Sequence, residues 1–106
     1  MRRHFRVDFE RTGGFAGLRL SVTVDSQTLP AEEAFHLEEN LANAQFFDLP
    51  AKMISSQGGA DRYQYRITVQ EQERIHTVEL SESAVSEACQ SLIRQLTLLA
   101  RTAGTK

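Results

Sequence analysis

The stretch Phe5-Arg6-Val7-Asp8-Phe9-Glu10-Arg11-Thr12-Gly13-Gly14-Phe15-Ala16-Gly17-Leu18-Arg19-Leu20-Ser21-Val22-Thr23-Val24 decides the fold class. Its first half alternates with period two. Phe5, Val7 and Phe9 fall on one face, with His4, Arg6, Asp8 and Glu10 on the other, which is the pattern of a strand buried on one side. After the glycine-rich connection the alternation resumes as Leu18, Leu20, Val22 and Val24, with Arg19, Ser21 and Thr23 opposite. Two alternating runs around such a connection read as a β-hairpin.

Outward from this hairpin, Thr28-Leu29-Pro30-Ala31-Glu32-Glu33 carries helix-start signals. Pro30 suits the first turn, Glu32 and Glu33 complement the helix dipole, and Thr28 or its neighbour is placed to cap. Ala34, Leu37 and Leu41 continue at helical spacing to about Ala44-Gln45, before Phe46-Phe47-Asp48-Leu49 and the breaker Pro50. Residues 50–61 read as an irregular loop in which only Met53-Ile54 offers apolar contact. Tyr63, Tyr65, Ile67 and Val69 then alternate as a third strand. The turn Gln70-Glu71-Gln72-Glu73 leads to a fourth, with Val78 and Leu80 in phase and Ile75 out of phase. Ser81-Glu82-Ser83 supplies a cap for a second helix, whose stripe runs Val85, Ala88, Cys89, Leu92, Ile93, Leu96, Leu99 and Ala100. The tail from Thr102 to Lys106 is expected to fray. The order ββαββα predicts a single α+β domain over 1–106. Its economical form is a two-layer sandwich, a four-stranded antiparallel sheet with two helices on one face. Arg6, Asp8, Glu10, Arg19, Thr23, Arg66 and Thr68 would lie on the opposite sheet face.

Composition excludes several function classes. The chain has 106 residues, 41 % of them hydrophobic and 25 % charged, with a formal net charge of −2. A disordered chain would carry fewer apolar residues and more net charge. A nucleic-acid partner is not expected, because such binding rests on clustered Lys/Arg releasing counterions. The basic side chains are nearly all arginine, which favours bidentate carboxylate contacts at protein interfaces. No apolar run approaches the ~20 residues of a membrane span. The start Met1-Arg2-Arg3-His4-Phe5-Arg6 has no apolar region behind it, so no signal peptide and a cytoplasmic location are the expectations; separately, a monomer is expected when the protein is free. Cys89 is the single cysteine, so no intrachain disulfide or multi-cysteine zinc site can form. It falls on the buried stripe of the last helix with nothing basic nearby to activate it. Glu32 and His36 share a helix face, yet no His-Glu-x-x-His, Gly-x-Ser-x-Gly or phosphate-loop pattern exists. No catalytic residue, cofactor or metal site is expected, and the chain does not read as an enzyme.

Phe15 is the informative oddity, a large aromatic set between Gly13-Gly14 and Ala16-Gly17 at a hairpin tip. Two readings stand: a lid folded back on the core, or a displayed anchor whose glycines let backbone approach a partner closely. The second glycine-bearing loop, Gln57-Gly58-Gly59-Ala60, is either a flexible connection or a second contact loop.

Three segments, Phe9 to Leu18, Leu29 to Ala34, and Gly59-Ala60-Asp61-Arg62-Tyr63-Gln64-Tyr65, resemble the emfourin family. The resemblance runs in the same order from about Arg6 to Leu99. It implies a small bacterial inhibitor that binds protealysin, a thermolysin-like zinc metalloprotease, tightly and reversibly. The resemblance brings no set of contact residues with it; the displayed-hairpin reading makes Gly13, Gly14, Phe15, Ala16, Gly17 and Leu18 the first candidates for protease contact, with Gly58, Gly59 and Asp61 as a second group. Phe15 or Leu18 would cover the pocket that such proteases reserve for a bulky apolar residue, so occlusion is expected rather than zinc ligation. Asp61, a carboxylate beside a loop, is the exception. The competing classes are a non-inhibitory protease-binding or chaperone-like module and a small enzyme or ligand-binding domain; nucleic-acid binding ranks last.

Overall fold

The computed structural model describes residues 4–13, 19–54, 63–82 and 85–104. Its elements are β1 (Phe5–Gly13), β2 (Leu20–Asp25), α1 (Ala31–Asn43), a 3₁₀ turn (Phe46–Asp48), β3 (Lys52–Met53), β4 (Tyr63–Glu71), β5 (Arg74–Ser81) and α2 (Glu87–Gly104). The α+β class holds, but the sheet is not four antiparallel strands. It has five strands in the order β2-β1-β4-β5-β3, and β3 pairs parallel to β5 through Lys52↔Glu79 and Met53↔Leu80. The extra strand follows from the chain re-entering the sheet edge after Pro50. The Ala51 carbonyl accepts the Glu79 N–H at 2.8 Å, which aligns the next two residues. A two-residue strand has no period for a sequence pattern to reveal.

The remaining pairs are antiparallel, and their register explains the alternation. Phe5, Val7 and Phe9 of β1 stand beside Ile67 and Val69 of β4, and those beside Val78 and Leu80 of β5. All are buried in one cluster with Leu37 and Leu41 of α1 and Leu92, Ile93, Leu96 and Ala100 of α2. Both helices therefore cover one face. Asn40 Nδ2 donates to Gln95 Oε1 at 2.6 Å, and Gln95 Nε2 donates to the Glu33 carbonyl at 3.2 Å, tying the helices together. Cys89 lies inside this layer at 1 % exposure.

The opposite face is a polar ladder. Arg19 pairs with Glu10 at 2.7 Å, Thr23 donates to Asp8 at 2.6 Å, Arg66 pairs with Glu79 at 3.2 Å, and the Thr68 and Thr77 hydroxyls meet at 2.9 Å. Exposed cross-strand pairs of this kind fix register more than they add stability.

Four local expectations are corrected. Pro30 is itself the N-cap of α1 and no side chain caps it; Thr28 instead donates its hydroxyl to the Asp25 carbonyl. The cap of α2 is Ser86, whose Oγ accepts the Cys89 N–H at 3.4 Å, because Ser81 is still in β5 and buried. The β4–β5 turn is the two residues Gln72-Glu73, with Gln72 at φ 56°. Helix α2 continues to Gly104 instead of fraying from Thr102; the Thr102 hydroxyl donates to the Leu98 carbonyl at 2.9 Å.

Helix α1 is capped at its C-terminal end by Ala44, and the next residue, Gln45, has φ 50° and ψ 53° and donates its N–H to the Ala42 carbonyl at 3.0 Å. This is the left-handed position that glycine fills in many helix ends. Gln45 is exposed, and its Cβ works against that conformation. Gln45→Gly is expected to stabilise the fold by about 0.5–1 kcal/mol. The measurement is a higher urea midpoint at unchanged slope.

Asp25 ends β2, and its carboxylate accepts the Gln27 N–H at 2.8 Å and meets His4 Nε2 at 2.7 Å. The Gln27 N–H holds its pKa below the ordinary 3.8; burial opposes this, and the His4 contact and the Arg6 charge add to the lowering. The unfolded chain thus binds this proton more readily, and the contribution is complete above about pH 4 and lost as pH falls further. Asp25→Asn is expected to flatten the acid limb of a stability–pH curve below about pH 4. An unchanged limb would contradict the assignment.

Candidate functional site

Of the residues singled out for contact, Gly13 lies among the described residues; Gly14, Phe15, Ala16, Gly17, Leu18, Gly58, Gly59 and Asp61 lie outside them. What the structure adds is where their segments attach. Gly13 is the last residue of β1 at φ 88°, a left-handed value that favours glycine. It stands directly opposite Tyr63, the first residue of β4. The segment 14–18 leaves from β1 and returns to β2. The segment 55–62 arrives at β4 from β3, whose end matches the end of β5 through Met53↔Leu80. Both glycine-bearing segments therefore spring from the same end of the sheet, and two of their attachment points are neighbouring strands about 5 Å apart.

The framework beneath them is built from side chains that the sequence reading did not single out. The core-side row of β1 runs Phe5, Val7, Phe9, and its next member is Arg11, paired in register with Tyr65. An arginine here occupies a slot where the alternation calls for an apolar residue. Its guanidinium carbon lies over the Tyr63 ring, 4.2 Å from the centroid, a cation–π contact. Tyr65 in turn stacks on Phe9, with ring centroids 6.1 Å apart. Glu82, just past β5, accepts the Tyr63 N–H at 3.2 Å. Burial first, then the Glu82 charge, raises the Tyr65 pKa above its ordinary 10.0, so its hydroxyl remains protonated through neutral pH. The Arg11 Nε is sealed from solvent and has no hydrogen-bond partner among the described residues. A buried donor left unmet costs about 1–3 kcal/mol. The sequence signal for this cluster was present: Arg11 breaks the apolar phase two residues before Gly13, and two tyrosines open β4.

Other chemistry is sparse. Among the described residues no three His, Cys, Asp or Glu side chains converge as metal ligands, and no helix is long and apolar enough to cross a membrane. His36 lies 3.8 Å from Glu39, not beside Glu32. His76 is bound to the Leu49 carbonyl at 2.7 Å and packs against Phe46 and Phe47. These are scaffold contacts.

The described residues form a two-layer α+β scaffold in which the segments 14–18 and 55–62 attach at the same end of the sheet. The Emfourin family model matches residues 9–97, and the chain belongs to that family. Among solved structures it is similar to emfourin from Serratia proteamaculans, an M4 family peptidase inhibitor, at 15 % identity and a TM-score of 0.50, over 92 % of this chain and 90 % of that one. At that identity the likeness shows the fold. Comparison with curated proteins finds no match.

Proposed function

We propose that this protein is a reversible, tight-binding inhibitor of M4-family, thermolysin-like metallopeptidases and has no catalytic activity of its own. The observation that carries this reading is the family match over residues 9–97, which spans both glycine-bearing segments. The register Gly13↔Tyr63 supports it, because it gives the two segments a common base at one end of a rigid sheet. In this reading Gly13 to Leu18, with Gly58, Gly59 and Asp61, contact the peptidase and block its substrate cleft. A backbone free of side chains at Gly13, Gly14 and Gly17 lets main chain lie close to the cleft wall. The β-sheet supplies preorganisation, which reduces the entropy lost on binding.

The test is steady-state hydrolysis of a peptide substrate by a purified M4 peptidase at increasing inhibitor concentration. Rate loss that titrates near one inhibitor per enzyme supports the reading. Formation of a complex by gel filtration with undiminished hydrolysis favours a non-inhibitory or chaperone-like partner of the peptidase instead.

A further inference from the structure

A groove of about 400 Å³ lies between the loop end of the sheet and α2. Arg11 and Tyr65 line it from the sheet, Glu82 lines it just past β5, and Arg94, Leu98 and Arg101 line it from the helix. The three helix residues are spaced by four and three positions, so they form one continuous stripe. Leu98 is 59 % exposed, an uncovered leucine between two cations. Arg94 is exposed and makes no ion pair among the described residues. In a chain with net charge −2, this groove collects three arginines against one glutamate.

Arg11 adds an independent pointer. It takes the core-side slot of β1 after Phe9, its guanidinium lies over the Tyr63 ring, and its Nε has no hydrogen-bond partner among the described residues. An apolar residue in that slot would extend the core row without placing a charge beside the groove. We propose that this groove is a docking site for an acidic segment of a partner protein, with one apolar side chain seated on Leu98 and carboxylates bridging Arg11 and Arg94. Guanidinium forks bind carboxylates bidentately, and the Tyr63 ring lies against one face of the Arg11 guanidinium. The charge pattern selects the occupant: an apolar segment without acids would leave Arg94 unmatched, and a basic one would be repelled. This inference goes beyond peptidase inhibition and does not depend on it.

The test uses the full chain, no peptidase, and a fluorescein-labelled peptide alternating glutamate and leucine, followed by anisotropy. Saturable binding that weakens as salt rises is expected. Arg94→Glu and Leu98→Ala should each weaken it by about tenfold or more, and the peptide with glutamine for glutamate should bind at least about tenfold less well. Both substitutions are at exposed positions, and far-UV circular dichroism verifies that the variants fold. No binding, equal binding of the glutamine peptide, or indifference to both substitutions overturns the proposal. Displacement of the peptide by citrate at equal concentration also overturns it, since the site would then take free carboxylates.

Discussion

Phe15→Ala is expected to raise the inhibition constant against an M4 peptidase by about 30- to 1000-fold, the effect of losing an aromatic hot spot worth about 2–4 kcal/mol. The expectation starts from the sequence, where one large aromatic stands among four small residues between two strands. It gains weight from the attachment of that segment at Gly13, whose φ of 88° turns the chain off the end of β1. Energy at interfaces concentrates in a few aromatic or arginine anchors, with the surrounding contacts chiefly excluding water. The thermal midpoint provides the control. If Phe15 is an anchor, potency falls and the midpoint stays; if it is a lid on the core, the midpoint falls with it. Asp61→Ala is the companion variant. Full potency in Phe15→Ala together with lost potency in Asp61→Ala would move the contact to the second segment and sink the hairpin-anchor model.

The second large effect is on stability. Phe9→Ala is expected to destabilise the domain by about 3–5 kcal/mol, because it empties an aromatic-sized space in a close-packed layer. Phe9 is 2 % exposed, lies on a strand flanked on both sides, and carries Tyr65 stacked on its ring. Losing it removes both the core contact and the support under the loop end. Against a total of about 5–15 kcal/mol for a domain of this size, that change unfolds a substantial fraction of molecules at moderate temperature. Ile75→Ala is the matched control. Ile75 is also a strand hydrophobe, but it is 65 % exposed on the ladder face, and its loss should stay within about 0.5 kcal/mol. Urea unfolding of the two variants separates burial from hydrophobic character. Equal costs would refute the assignment of faces.

This contrast was legible beforehand. The period-two patterns of β1, β2, β4 and β5 fixed which face was buried, down to Ile75 being out of phase, because a strand slipped by one residue would reverse every side chain. The helical spacing of Leu37 and Leu41, and of Leu92, Ile93 and Leu96, fixed one buried stripe per helix, so two layers were the available solution. Family membership was likewise readable in the hairpin and in the segment running into Tyr63. What sequence reading missed was short or depended on partners far away in the chain. The two-residue β3 exists because Ala51, Lys52 and Met53 meet Glu79 and Leu80. The α2 cap moved to Ser86 because Ser81 was claimed by the β5 ladder with Gln64.

The sequence by itself thus determined the class of fold, the buried faces, the absence of a recognisable catalytic motif and the family, since each rests on local periodicity or on residues contiguous in the chain. Tertiary structure alone decided that the two glycine-bearing segments share one end of the sheet, through the pairing of Gly13 with Tyr63, fifty residues later. It also decided that Arg11, Tyr65, Glu82 and Arg94 line a single groove. The physical reason is the same in both cases: strand order and register are set by which long-range pairing buries the most apolar surface, a property of the whole core that no single segment carries.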